Sequence, residues 1–412
     1  MNFDVIVLGG GPGGAKAAKF LAEHGKKVAL VEQHLVGGEC LHYGCIPSKV
    51  FLYSAELFEK FQKISQFGIE MTGEVKLNFS ALLERKKKVV EMLHRGLSAS
   101  IEKSGVQILK GRGIVASDGT SVTLENGETL SAPHIVMATG SEPVVFSGMS
   151  GHTNRTIFDL TELPKSIVIV GGGVSGCEFA SFFAAFGVTT TIVEKGERIL
   201  PSEDPEISME MTKLFARKNV KVLTGISYSA EAFPADCTLF CVGRKVANEF
   251  PPSVIVIGDA AKKSMLAYTA EKEGENAAKK ILGISCEEDF IWPNTIFTHP
   301  EIASVGAKES DVPGALIGRA TFAGNARALI EGERDGFVKV LIDPKTHAML
   351  GAHVIGKNAT LIIDKATLVV SEKISAEKFL NALHGHPVMS EVLKEAIENG
   401  IANASDFRKE DL

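Results

Sequence analysis

Two cysteines stand close together near the N-terminal end of the chain, in the run Gly37-Gly38-Glu39-Cys40-Leu41-His42-Tyr43-Gly44-Cys45-Ile46-Pro47-Ser48-Lys49. Thiols at this separation could trade electrons as a redox pair, or they could be two small packing residues. Geometry constrains the first reading. In an unbroken helix, positions i and i+5 lie about 8 to 9 Å apart by Cα, which is beyond the reach of a disulfide. A bridge would need a distortion, and Gly44 beside Cys45, with Pro47 suited to a first helical turn, supplies one. The helical pattern that follows runs to about Ile64. A thiol at a helix N-terminus also has its thiolate favoured. A second candidate lies far along the chain, in His386-Pro387-Val388-Met389-Ser390-Glu391. An imidazole titrates near neutrality, and a carboxylate on its other nitrogen fixes the tautomer, which is general acid–base chemistry. A lone His-Pro is otherwise a turn.

The elements that would position these groups form an internal repeat. Phe3 to Leu8 is an apolar strand leading into Gly9, Gly11 and Gly14 in G-x-G-x-x-G spacing, then a helix, Gly25, a second strand from Val28 to Val31, and Glu32. Ile167 to Val170 begins the series again, with Gly171, Gly173 and Gly176, then Gly187, a strand ending at Val193, and Glu194. Equivalent positions are offset by 162, from Gly9 to Gly171 and from Glu32 to Glu194. Strand before, helix after and a distant acid are the context that gives the glycine pattern meaning. The glycines allow a tight turn and close approach to a pyrophosphate, the helix N-terminus supplies N–H donors, and the acid accepts from a ribose. Two copies imply two dinucleotides, one held permanently and one that exchanges.

Composition narrows the field. At 412 residues, 45% hydrophobic and 23% charged, the chain should hold two to four domains. A net charge of −6 provides no basic field for nucleic acid or acidic lipid, so neither is expected as a partner. Arg85 to Lys88 lies in an amphipathic helical pattern and reads as a solvated face. The opening Met-Asn-Phe-Asp passes directly into a strand pattern, so no export signal is expected. Ile167 to Val188 contains Glu178 and several glycines and divides into strand, turn and helix rather than a membrane span. Six cysteines are too sparse for a disulfide scaffold, which points to a cytoplasmic protein. No zinc spacing is present, no metal is expected, and Cys177, Cys237, Cys241 and Cys286 read as packing residues.

The cysteine run resembles the redox motif of the flavin disulfide reductases, in the branch typified by lipoamide dehydrogenase. The likeness spans nearly the whole chain. Val254 to Ala260 resembles the family's second FAD strand, whose acid, here Asp259, binds the ribityl chain. Met265-Leu266-Ala267 resembles the segment after it, and Ala138-Thr139-Gly140 and Val242-Gly243-Arg244 resemble two connecting turns. His299 to Gly306 and Asp335 to Lys339 resemble the C-terminal dimerisation domain. The resemblance implies an FAD site at Gly9, Gly11, Gly14, Glu32, Lys49, Gly113, Gly140, Asp259 and Ala267, and a nicotinamide site at Gly171, Gly173, Gly176, Glu194 and Gly243. It also implies a Cys40–Cys45 disulfide, His386 as acid–base catalyst oriented by Glu391, and Lys49 with Glu178 beside the flavin ring. His384 competes with His386 and reads as supporting structure. In the implied reaction a substrate dithiol, deprotonated by His386 of the other subunit, attacks Cys40. Cys45 lies nearer the flavin, and a nicotinamide is the final hydride acceptor, so a homodimer is required.

Glu194 at the end of its strand favours NAD, because an acid binds the 2′-hydroxyl and repels a 2′-phosphate. Lys195 and Arg198 leave some NADP use open. The chain departs from the family pattern between Gly225 and Val254, where a small sheet is usual and this sequence is short. His42 and Tyr43 replace Asn and Val, and Tyr268 stands where His is common. The polar tail from Ala404 to Leu412 lacks the paired cysteines of mercuric reductases. The expected fold is α/β, with two Rossmann-like domains and a C-terminal α+β dimerisation domain. Its expected division is a split FAD domain (1–150 and 252–288), an NAD domain (151–251) and an interface domain (289–412). The expected activity is oxidation of dihydrolipoamide, and the expected partners are a lipoyl domain or another dithiol or disulfide substrate and a 2-oxoacid dehydrogenase complex. The alternatives are reduction of another small disulfide with NAD(P)H and an FAD-binding structural or assembly subunit.

Overall fold

Short apolar strands separated by glycine turns and amphipathic helices make parallel sheets covered on both faces, and the chain does this twice. A computed structural model describes residues 1–146, 148, 150–246 and 249–403. The tail from Ala404 to Leu412 lies outside the described residues. They divide into two compact units, one comprising Met1–Phe51, Asn78–Glu162 and Val242–Asp289, the other Leu52–Leu77, Leu163–Cys241 and the chain from Phe290 onward.

In the first unit a five-stranded parallel sheet has the order Ile255–Val256, His134–Met137, Val5–Leu8, Val28–Glu32, Gln107–Lys110. Val5 to Leu8 are all buried, as a central parallel strand requires. The helix Pro12–Glu23 leaves the first glycine turn and packs on Ala267–Ile281 at backbone distance: a Cβ on Gly274 would lie 2.2 Å from Gly13 O. Arg85, Lys87 and Lys88 are exposed on the helix Phe79–Lys103, whose N-terminus is capped by the Asn78 side chain. An antiparallel sheet of Gly113–Val115, Ser121–Leu124 and Thr129–Ser131 completes the unit, with a two-stranded ribbon joining Glu142–Pro143 to Arg244–Lys245.

The second unit repeats the plan in a smaller form. Its parallel sheet runs Lys221–Leu223, Thr189–Val193, Ser166–Val170, Cys237–Phe240. The described residues between Leu223 and Cys237 form no strand, in keeping with the shortness read from the sequence. A five-stranded antiparallel sheet follows, in the order Pro293–Ile296, Glu301–Gly306, Met349–Gly356, Phe337–Ile342, Leu316–Thr321. The helices Ala359–Ser371 and Glu391–Ile401 bury their apolar faces against it. No described helix is long and apolar enough to cross a membrane.

Candidate functional site

The two glycine turns share their main bonds. Gly9 N donates to Val31 O at 2.8 Å, and Gly171 N to Val193 O at 2.9 Å. Gly9 and Gly171 have φ of 102° and 103°, a region that only glycine enters cheaply. A Cβ on Gly14 would lie 1.9 Å from Gly9 O, and one on Gly176 would lie 2.0 Å from Gly171 O, so the third glycine lets each helix close on its turn. Gly11 and Gly173, the N-caps of Pro12–Glu23 and Val174–Ala185, make no side-chain cap bond and face open space. Each leaves helix N–H donors and a positive dipole end for an anion. Glu32 Oε2 accepts from Gly10 N at 2.7 Å, and Glu194 Oε2 accepts from Gly172 N at 2.6 Å. The acid read from sequence as a ribose ligand therefore also locks its glycine turn.

Gly44 breaks the helical run where a bridge between the cysteines would need it. A short helix, Gly38–Tyr43, ends there at φ −129° and ψ −107°, and a second, Cys45–Gln62, begins at the next residue. Cys40 thus lies on one helix and Cys45 at the first position of another. The two thiols are hydrogen-bonding neighbours across that break. That bond, together with burial, holds the Cys40 thiol above its ordinary value, while the Lys49 ammonium one turn further on pulls it back. His42 is tied down, its Nε2 meeting Val36 O at 2.9 Å and its ring 5.3 Å from that of His94.

Asp259 sits in the turn Gly258–Ala261, where the Ser141 hydroxyl donates to its carboxylate and Arg244 Nε lies 3.9 Å away. Arg244 Nε also donates to Ser141 Oγ at 2.7 Å, and Gly258 N donates to Glu273 Oε2 at 2.6 Å. Ala267 opens a helix whose N-cap Leu266 offers no side-chain acceptor. Gly140 follows the end of the strand His134–Met137, and Gly243 O accepts from Val144 N at 3.1 Å within the first unit. Gly113 has no room for a side chain, since its Cβ would lie 2.7 Å from both Leu8 and Val122.

In the second unit His386 Nδ1 meets Glu391 Oε1 at 2.9 Å, and Val388 N donates to Oε2 at the same distance. His384 is held by Lys365 and by Phe379 O, on whose ring it packs, in keeping with a supporting part. Glu178 is buried and accepts from Phe297 N at 2.9 Å. Cys177 and Cys237 are buried, and Cys241 and Cys286 are half-buried. Arg198, left open as a phosphate ligand, donates instead to the carbonyls of Leu200, Pro201 and Glu203.

Two dinucleotide turns and a dithiol together define a nucleotide-dependent thiol oxidoreductase. Residues 3–250 match the model for pyridine nucleotide-disulphide oxidoreductase, and residues 292–397 match the dimerisation domain of the same family. The chain belongs to this family of flavoprotein disulfide oxidoreductases, enzymes whose cofactors are FAD and NAD(H). It is 32% identical over 447 residues to the dihydrolipoyl dehydrogenase of Chlamydia muridarum, covering 96% of each chain. It is 35% identical over 461 residues to that of Bacillus subtilis, covering 96% of this chain and 97% of the relative. Alignments of that length require gaps in a chain of 412 residues. Among solved structures, LpdA of Mycobacterium tuberculosis shares the fold at a TM-score of 0.87, with 24% identity and coverage of 96% of this chain and 98% of that one. The open, uncapped helix ends and the two turn-locking acids fit both cofactors. Neither alternative activity is favoured by these likenesses.

Sequence reasoning missed Glu39, Ser141, Asn154, Arg155 and Glu273. All act through contacts distant in sequence, and only Glu39, beside Cys40, carried a positional hint.

Proposed function

We propose that this chain oxidises dihydrolipoamide to lipoamide with NAD⁺ as hydride acceptor, working as a cytoplasmic homodimer on the lipoyl domain of a 2-oxoacid dehydrogenase complex. The observation that carries the reading is the Gly44 break, which brings the thiols of Cys40 and Cys45 into hydrogen-bonding contact although they are five residues apart. The similarity to dihydrolipoyl dehydrogenases supports the substrate. The proposed division is an FAD domain of 1–150 and 252–288, an NAD domain of 151–251 and an interface domain of 289–412.

From the oxidised pair, His386 of the partner subunit takes a proton from the substrate dithiol, and the thiolate attacks Cys40 while Cys45 leaves as thiolate. The second substrate thiol then displaces Cys40, releasing lipoamide and leaving the enzyme two electrons richer. Bound FAD supplies the path by which those electrons leave as hydride for NAD⁺. The glycine turns and Glu32 and Glu194 hold the nucleotides, Asp259 with Gly113, Gly140 and Ala267 completes the flavin site, and Gly243 borders the nicotinamide site. Lys49 and Glu178 set the charge beside the flavin.

The test mixes the purified flavoprotein with dihydrolipoamide and NAD⁺ and follows NADH. Formation of NADH by the wild type, lost in Cys40→Ser and in Cys45→Ser, supports the assignment. A protein that holds flavin but forms no NADH from dihydrolipoamide overturns it.

A further inference from the structure

Glu39 immediately precedes Cys40 on the short helix Gly38–Tyr43, and its carboxylate is saturated. Arg155 reaches Oε2 with Nη2 at 2.8 Å and with Nε at 3.0 Å. Asn154 Nδ2 donates to Oε1 at 2.9 Å, and Arg244 Nη2 lies 3.2 Å from the same oxygen. The same two neighbours also grip the far end of the helix. Asn154 Nδ2 donates to Tyr43 O at 3.0 Å, and the Arg155 guanidinium lies 5.6 Å from the centre of the Tyr43 ring. The segment bearing them is folded on itself, with Thr153 N donating to Thr156 Oγ1 at 3.0 Å and His152 Nδ1 3.0 Å from Thr156 O.

A helix of six residues has no stability of its own, since isolated helices shorter than about 12 residues are marginal in water. Only tertiary ties can keep Cys40 at a fixed distance from Cys45 across the Gly44 break. We infer that Glu39, Asn154 and Arg155 form a clamp that positions Cys40 against Cys45 and so sets the redox poise of the pair. This rests on the proposed use of the two thiols. The three are positioning residues, acting through the helix that carries Cys40. Burial opposes ionisation of Glu39, but Arg155 and Asn154 more than offset it and hold its carboxyl below the usual range, so the clamp is ionic at neutral pH. Charge-assisted bonds of this kind are roughly twice as strong as neutral ones.

The effect is on ring closure. One protein dithiol and one glutathione disulfide become one protein disulfide and two glutathione thiols; the two protons of the protein thiols pass to glutathione, and the electron pair leaves with them. A clamped helix presents both thiols at a high effective concentration, whereas a loosened one must lose freedom to close the ring.

The experiment equilibrates the flavin-loaded protein with glutathione buffers and counts reduced Cys40 and Cys45 by alkylation and mass spectrometry. In an Asn154→Ala, Arg155→Met double variant the equilibrium constant for forming the disulfide falls about tenfold, which is about 30 mV toward easier reduction. Glu39→Gln, which keeps shape and loses charge, falls in the same direction by a smaller factor. Constants within twofold of the wild type in either flavin-retaining variant overturn the clamp. If the double variant fails to retain flavin, Glu39→Gln decides alone. Failure of wild-type Cys40 and Cys45 to pair at all sinks the proposed function instead, so the two failures are separable.

Discussion

His386 Nδ1 lies 2.9 Å from Glu391 Oε1, and the other oxygen of that carboxylate is occupied by the Val388 backbone N–H. The Val388 bond, with His386 second, holds the Glu391 carboxyl below its usual range, so the acceptor stays ionised well into acid. His386→Ala should therefore lower dithiol-driven kcat by about 10² to 10⁴. Glu391→Gln should lower it by about tenfold, because the imidazole remains but loses the group that orients it. Reduction of the flavin by NADH should be unchanged in both variants, since that half-reaction needs no proton from the dithiol. Stopped-flow measurement of the two half-reactions checks this.

Glu194 spends one oxygen on Gly172 N and the other on Gly196 N, each at 2.6 Å. A 2′-phosphate would meet this fixed carboxylate, while the Arg198 guanidinium holds three carbonyls of its own loop. Glu194→Gln removes the repulsion while keeping one acceptor for the turn. The ratio of kcat/KM for NADH over NADPH should fall by about tenfold in this variant, an order of magnitude being about 1.4 kcal/mol of altered discrimination. An unchanged ratio would mean that the acid does not face the ribose.

Acid stability should hinge on Glu59. Burial opposes its ionisation, yet the His299 ring and the Lys218 ammonium, 2.7 Å away, bring its pKa from 4.5 down to about 2. A depressed carboxylate pKa stabilises the fold above the unfolded value, and that stability drains away as pH falls through the folded value. The window here is from about pH 4.5 to about pH 2. Glu59→Gln should be less stable at neutral pH by on the order of 3 kcal/mol and should show a flatter decline across that window. Chemical denaturation at several pH values gives both numbers.

What the sequence made legible was local. The offset of 162 between Gly9 and Gly171 exposed two like glycine turns because the third glycine of each packs on the first, five residues before it. The break at Gly44 could be argued from helix rise once the two thiols are taken to pair, since five residues apart they cannot otherwise meet. The clamp on Cys40 could not be found this way: Glu39 and Arg155 are 116 residues apart, and an Arg after an Asn in a polar loop carries no periodicity. Glu59 and His299 are separated by 240 residues and likewise become partners only once the sheets are assembled. The carbonyls of Leu200, Pro201 and Glu203 that Arg198 holds in its own loop were equally invisible to spacing.

Gly274 shows how a residue without chemistry can govern the first glycine turn. It lies in the middle of the helix Ala267–Ile281, where glycine is disfavoured by roughly 1 kcal/mol relative to alanine. An Ala there should thus stabilise an isolated helix. In this fold the added Cβ would lie 2.2 Å from Gly13 O and 3.0 Å from Gly13 C, atoms of a backbone that cannot swing aside. Gly13 belongs to the first turn of Pro12–Glu23, two residues past the open N-cap at Gly11. The helices must part, or the glycine turn must shift with them. Overpacking of this kind costs about 1 to 3 kcal/mol, which exceeds the gain in propensity. Gly274→Ala should therefore lower thermal stability and, because the strain falls on the turn proposed to receive the FAD pyrophosphate, release FAD more readily during gel filtration. Gly283→Ala, with open space around its Cβ position but φ of 70°, provides the contrast: backbone strain without contact. It should cost stability while leaving flavin retention intact. Equal flavin loss in the two variants would show that FAD retention follows global stability rather than the packing of Gly13 on Gly274.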